Sequence, residues 1–154
     1  MTLKADDVCL VCSFCGNVQV PEANADGVRL LGIEAAEDCP VCTGVRLVHG
    51  AIERERIRYC AHCRGMLVGM DSFLEIVEEM RSRREAVTYT AHEPDWRDLD
   101  RRIRCPQCRT QMDTHPYCGP GNVIIDSCEV CAVNWLDYGE LDRIVRAPDP
   151  QVAG

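Results

Sequence analysis

Cys105-Pro106-Gln107-Cys108, then nineteen residues, then Cys128-Glu129-Val130-Cys131 is the stretch that decides the fold. An earlier stretch repeats it: Cys39-Pro40-Val41-Cys42, seventeen residues, then Cys60-Ala61-His62-Cys63. Two residues between cysteines let both sulfurs of a tight turn face one ion, and backbone N–H groups of that turn can donate to the sulfurs. A hairpin of about twenty residues returns the chain so that a second turn completes a tetrahedron. Protein then fills all four positions, so such a site is structural and its binding energy is largely folding energy. The expected ligands are Cys39, Cys42, Cys60 and Cys63 for one Zn2+ and Cys105, Cys108, Cys128 and Cys131 for a second.

The repeat extends beyond the cysteines. With Cys63 aligned on Cys131, Phe73, Ile76 and Val77 fall on Leu141, Ile144 and Val145. Both sets are spaced i, i+3, i+4, one face of a helix. Ser72 with Glu75, and Asp137 with Glu140, have the spacing of capping boxes. The first helix is expected to run to about residue 84, and the second to stop before Pro148. Hairpin material precedes each helix: rough alternation over 52–59, and a turn at 119–122 leading into Val123-Ile124-Ile125. Each unit reads knuckle, hairpin, knuckle, short helix, which points to internal duplication. The fold class expected is a small, metal-stabilised α+β protein made of tandem zinc ribbons with little conventional core. Only eight of the 154 residues are aromatic, and small modules short of apolar surface need a staple.

The flanking segments complete the division. Residues 1–38 hold Cys9, Cys12 and Cys15, then two segments (16–21 and 27–32) that could pair as a hairpin across the loop 22–26. Residues 39–84 are the first ribbon with its helix, and 105–147 the second. Between them, 85–104 place Trp96, Leu99 and Ile103 on one helical face after Pro94, so a short amphipathic connecting helix packed on a ribbon is expected. Residues 148–154 are a tail.

Eight cysteines satisfy two sites. A third would use Cys9, Cys12, Cys15 and Cys118, or Cys12 and Cys15 with a histidine; His49 and His115 each stand seven residues after the second cysteine of their unit. One or two free thiols is the plainer alternative. Iron is a rival at the N-terminal cysteines, because Cys12-Ser13-Phe14-Cys15 followed by Cys39-Pro40-Val41-Cys42 has the spacing of a rubredoxin-type site.

The net charge is −8, with the acid concentrated before residue 39 and after residue 104. Each four-thiolate zinc site lowers the total by 2, taking two sites to −12. That balance disfavours wrapping a phosphate backbone. The arginines at 54, 56, 58, 81, 83 and 84 are interleaved with glutamates at 53, 55, 78, 79 and 85, the pattern of a solvated mixed-charge face. Thioredoxin-like chemistry uses a single Cys-x-x-Cys pair beside a βαβ unit, unlike these four. No carboxylate pair, Ser/His/Asp order or phosphate-binding glycine loop stands out. The polar start of the chain lacks a signal-peptide apolar stretch, and no segment approaches the length of a membrane span. A cytoplasmic location with metal-bound thiolates is therefore expected.

The second unit resembles the bacterial transcription-factor zinc-finger (TFIIB-like zinc ribbon) family. Cys105-Pro-Gln-Cys108, Cys128-Glu-Val-Cys131, Trp135-Leu136-Asp137 and Gly139-Glu140-Leu141 carry the resemblance over about forty residues. Ala132-Val133 stand where that family tends to have glycines. The first unit keeps the cysteines and Gly65 but lacks the Trp-Leu-Asp and Gly-Glu-Leu segment. The resemblance implies a zinc-ribbon fold and no particular activity. The expectation is a non-enzymatic adaptor that binds another protein. The alternatives are a nucleic-acid-binding transcription factor, with the arginines of 52–59 as contact, and a zinc-thiolate redox sensor.

Overall fold

The computed structural model describes residues 10–12, 14–84, 93–117 and 121–148. Strands β3 (Arg29–Asp38), β4 (Arg46–Ile52), β5 (Glu55–Tyr59), β6 (Met66–Gly69), β7 (Asp113–Pro116), β8 (Ile124–Cys128) and β9 (Val133–Leu136) form one antiparallel sheet in the order β3-β4-β5-β6-β9-β8-β7. A separate two-stranded ribbon pairs β1 (Leu10–Val11) with β2 (Val18–Gln19). Helix α1 (Met70–Arg83) follows β6 and helix α2 (Glu140–Arg146) follows β9.

The two units meet at the centre of the sheet, where β6 pairs with β9. Leu67 lies opposite Trp135, its own counterpart in the repeat. Met66 faces Leu136 and Val68 faces Asn134, so the neighbouring pairs exchange under the same alignment. The duplicated ribbons are thus related by a pseudo-twofold axis through Leu67 and Trp135, the geometry of an isologous dimer interface within one chain. β3 has no counterpart among the described residues of the second unit and closes the outer edge of β4.

Side chains alternate across the sheet with period two. Met66 and Val68 on β6 and Leu136 on β9 face the helices; Leu67, Val133 and Trp135 face the cysteines. On the helix side, Phe73, Ile76 and Val77 of α1 and Leu141, Ile144 and Val145 of α2 share one buried cluster with Ile57, Tyr59 and Ile125. Equivalent positions of the two repeats therefore bury each other. Neither ribbon owns a core; the sparse apolar content of both is pooled into one, largely aliphatic. Each fully buried side chain of this kind stabilises by roughly 1.5–3 kcal/mol.

Several local expectations are corrected. The segment 16–21 does not pair with 27–32: Val18 and Gln19 pair with β1, and β3 pairs with β4. Val18 and Val20 stay exposed, while β3 joins the main sheet and buries Leu31 and Ala35, which another short hairpin would leave in water. The loop between is held by Asn24, whose Oδ1 accepts from the backbone N–H groups of Asp26 and Val28 at 2.9 and 3.0 Å. The capping box at Ser72 does not form. α1 begins at Met70, whose N–H donates to Ala132 O across the repeat interface at 2.8 Å, and Ser72 Oγ donates to Glu55 instead. At α2 half the box forms: Glu140 Oε2 accepts from Asp137 N–H at 2.7 Å. The Asp137 carboxylate is engaged elsewhere, and the residue before the helix is Gly139 with φ 83°.

The connecting helix is replaced by a single 3-10 turn, Trp96–Leu99, with Trp96 59% exposed. Only Ile103 of the expected stripe is fully buried. The reason is Arg101, which reaches Asp126 at 3.0 Å and Asp137 at 2.6 Å. Just beyond it, Met112 N–H donates to Ile103 O at 2.9 Å. A continued helix would forfeit these bonds. No helix among the described residues is long and apolar enough to cross a membrane.

Candidate metal centres

Each centre grows from two tight turns at the ends of a hairpin. Cys39 and Cys42 precede β4, and Cys60 and Cys63 lie between β5 and β6. Cys105 and Cys108 precede β7, Cys128 ends β8, and Cys131 lies between β8 and β9. Hairpin pairing brings each set together, with all four sulfurs within 4.8 Å of one another. In both sets the first cysteine of each turn is buried and the second half-buried. Cys39 and Cys63 Sγ are 3.7 Å apart, and Cys108 and Cys128 Sγ are 3.6 Å apart. A tetrahedron with Zn–S bonds of about 2.3 Å has an edge of about 3.8 Å. The sulfurs therefore stand where a zinc ion would hold them.

Backbone groups support the sulfurs. Val41 and Cys42 N–H donate to Cys39 Sγ at 3.4 and 3.3 Å, and Cys63 N–H donates to Cys60 Sγ at 3.4 Å. Such donors spread thiolate charge. Three of the four turns take left-handed backbone just after the second cysteine, where Arg64, Arg109 and Ala132 have φ of 64°, 66° and 54°, and the turn at Cys42 takes it one residue later, at Gly44 with φ 75°. Burial, reinforced by neighbouring sulfurs, pushes the Cys39 thiol up to about 11 and the Cys131 thiol up to about 12. Thiols this close resist joint ionisation, and a divalent cation supplies the charge that reverses the preference. The chain thus carries two four-cysteine zinc sites, each built on its own ribbon.

Side chains around the two clusters tie them to the rest of the fold. His62, inside the second turn of the first ribbon, places Nδ1 3.3 Å from Cys42 Sγ; its position between two ligands was the available signal. Trp135 is fully buried beside the cysteines, and Gly65 of the first ribbon packs directly on its ring. Trp135 Nε1 donates to Asp137 Oδ1, and Thr114 Oγ1 donates to Asp126 Oδ1. Asp126 is 2% exposed, so Arg101 between these two carboxylates compensates a buried charge. That partnership spans 25 and 36 residues and leaves no local pattern to read.

Among the described residues both clusters are made of cysteine alone. His115 hydrogen bonds Ser127 Oγ, and His49 lies on β4, its pKa lowered by burial and by Arg56 and Arg58. Cys39 and Cys42 join Cys60 and Cys63, so the alternative pairing with Cys12 and Cys15 is not adopted. Of the third set, Cys12 is half-buried and Cys15 exposed; Cys9 and Cys118 lie outside the described residues.

Residues 104–147 match the family model described as transcription factor zinc-finger, of the TFIIB zinc-ribbon type. The four-cysteine cluster between residues 39 and 63 fits a second ribbon of the same kind. Comparison with curated proteins and with solved structures gives no match.

Proposed function

We propose that the chain is a zinc-ribbon adaptor that presents fixed surfaces to a protein partner. The closed four-cysteine clusters carry this reading. Four protein sulfurs leave no coordination position for a substrate or an activated water, which supports a structural rather than catalytic role for zinc. Two ribbons locked about a pseudo-twofold axis make a rigid platform.

The fate of the arginines supports a protein partner over a nucleic acid. Arg81 and Arg84 donate to the last carbonyls of α2, Ile144, Val145 and Ala147. Arg58 pairs with Glu37, and Arg83 with Glu53 and Glu79. A phosphate backbone would have to compete for them against a net charge of −8. The favoured docking surface is the groove of about 600 Å³ where the loop at Asp26 meets α2. Arg64 stacks there on the exposed ring of Tyr138, 4.2 Å from its centroid, beside Met80 and Arg143. Exposed Tyr and Arg are favoured at binding hot spots.

The test compares the full chain with Tyr138→Ala as cross-linking baits. The expected result is a defined protein retained by the wild type and lost by the variant, with the variant's two zinc ions intact. Retention of nothing, or binding to DNA or RNA that weakens steeply with salt, overturns the reading.

A further inference from the structure

The turn at Cys12 lies outside both zinc ribbons yet has their backbone geometry. In the turn at Cys60, the cysteine N–H donates to Gly65 O at 2.9 Å and Arg64 N–H donates to Cys60 O at 2.8 Å. At Cys105 the same two bonds go to Thr110 O at 2.8 Å and come from Arg109 N–H at 2.9 Å. At Cys12 they go to Asn17 O at 2.9 Å and come from Gly16 N–H at 2.9 Å. The residue four positions on is left-handed in all three, with φ of 64°, 66° and 73°.

A second observation is independent of the turn. β1 and β2 are two residues each, and β2 is exposed throughout. Phe14 at the tip is 98% exposed, and Val18 and Val20 are exposed too. An isolated two-stranded hairpin is marginal in water. This one has no buried apolar face at Phe14, Val18 or Val20 to hold it, which is the situation a metal staple relieves.

We propose that Cys12 and Cys15 form half of a third thiolate centre for a thiophilic divalent ion, zinc being the ion used to test it. Two thiolates leave two positions of a tetrahedron open, and soft donors would fill them. Such donors have two sources: cysteines of the same chain outside the two ribbons, of which the sequence has Cys9 and Cys118, or the Cys12–Cys15 turn of a second copy.

The experiment measures zinc per chain and molecular mass together on full-length reduced protein titrated with Zn2+, for the wild type and for Cys12→Ser/Cys15→Ser. The wild type is expected to hold more than two ions. Three in a monomer supports the centre with donors from the same chain, and five per dimer supports it with the ion shared between copies. The double variant should fall back to two per chain with unchanged circular dichroism, because β1 and β2 are not part of the main sheet. As a second readout, Co2+ substitution should give thiolate charge-transfer absorption that drops in the variant by about a third if the centre lies within one chain and by about a fifth if it is shared between two. A wild type that saturates at two ions, or a variant that keeps the extra one, overturns the proposal.

Discussion

A turn that wraps two sulfurs around an ion forces one residue into left-handed backbone, and each ribbon meets that demand differently. Arg64, Arg109 and Ala132 carry a side chain there. An L-residue in that region costs roughly 1–2 kcal/mol, of which glycine's greater unfolded freedom returns about half. Ala132→Gly is therefore expected to stabilise the zinc-loaded protein by about 0.5–1 kcal/mol, read from the midpoint of urea unfolding at fixed zinc; a lower midpoint contradicts the strain argument. Glu140 poses a different question. It is 1% exposed, and burial, with Asp137 nearby, pushes its carboxyl up to about 9 from 4.5. The folded state then holds a proton that the unfolded chain releases. This stabilisation is complete below pH 4.5, declines as pH rises, and is gone above about pH 9. Between about pH 7 and pH 9 the wild-type Tm should fall, and Glu140→Gln should flatten that slope. A flat wild-type profile would show the carboxylate to be ionised throughout. Of these residues, the cysteines were legible in the sequence with their roles, and so was Glu140 as the side chain that accepts from Asp137 N–H at the start of α2. Zinc geometry is written in spacings of two and about twenty, whereas Asp137 looked like a helix cap because its true partner, Arg101, is far along the chain.

Elements whose reasons are local were readable, and those held by distant charges were not. The apolar stripes of α1 and α2 follow from periodicity alone, as do β5 within 52–59 and the start of β8 at 124–125, whereas their hairpin partners β4 and β7 carry no such alternation and were not legible. The segment 94–103 also shows helical spacing, yet it forms a single 3-10 turn, Trp96–Leu99. Its course is set by Arg101, inserted between Asp126 and Asp137. Removing that guanidinium leaves Asp126 buried without a cation. A wholly buried broken pair costs about 3–5 kcal/mol; the Arg101 side chain is 32% exposed, so about 2–3 kcal/mol is expected for Arg101→Ala. Adding Asp126→Asn should recover part of the loss, because the amide can still accept from Thr114 Oγ1. Equal and additive losses in the two single variants and the double would place the role of Arg101 outside this network.

At the scale of the molecule, the pairing of β6 with β9 converts two ribbons into one cooperative body. Nothing in either repeat announces that contact, since an edge strand's partner is not coded in its own periodicity; it appears only when Leu67 and Trp135 are seen opposite each other. Gly65 shows how tightly the halves fit. A Cβ there would enter the Trp135 ring, so Gly65→Ala in the first ribbon should destabilise the whole by about 1–3 kcal/mol, with one unfolding transition. Metal loss is the sharper test of the same coupling. Cys128→Ser removes a ligand from the second ribbon alone, and zinc binding there is folding energy. Loss of that ribbon frees β9 and α2, and α1 then faces solvent where Leu141, Ile144 and Val145 had covered Phe73, Ile76 and Val77. The pooled core leaves the first ribbon too little buried surface to stand unaided. The variant is therefore expected to lose amide protection in β4 and β5 as well as in β8 and β9, and to bind the first zinc more weakly even though Cys39, Cys42, Cys60 and Cys63 are untouched. If hydrogen exchange finds β4 and β5 as protected as in the wild type, the ribbons are independent domains that merely touch, and the pseudo-twofold contact is not what holds the molecule together.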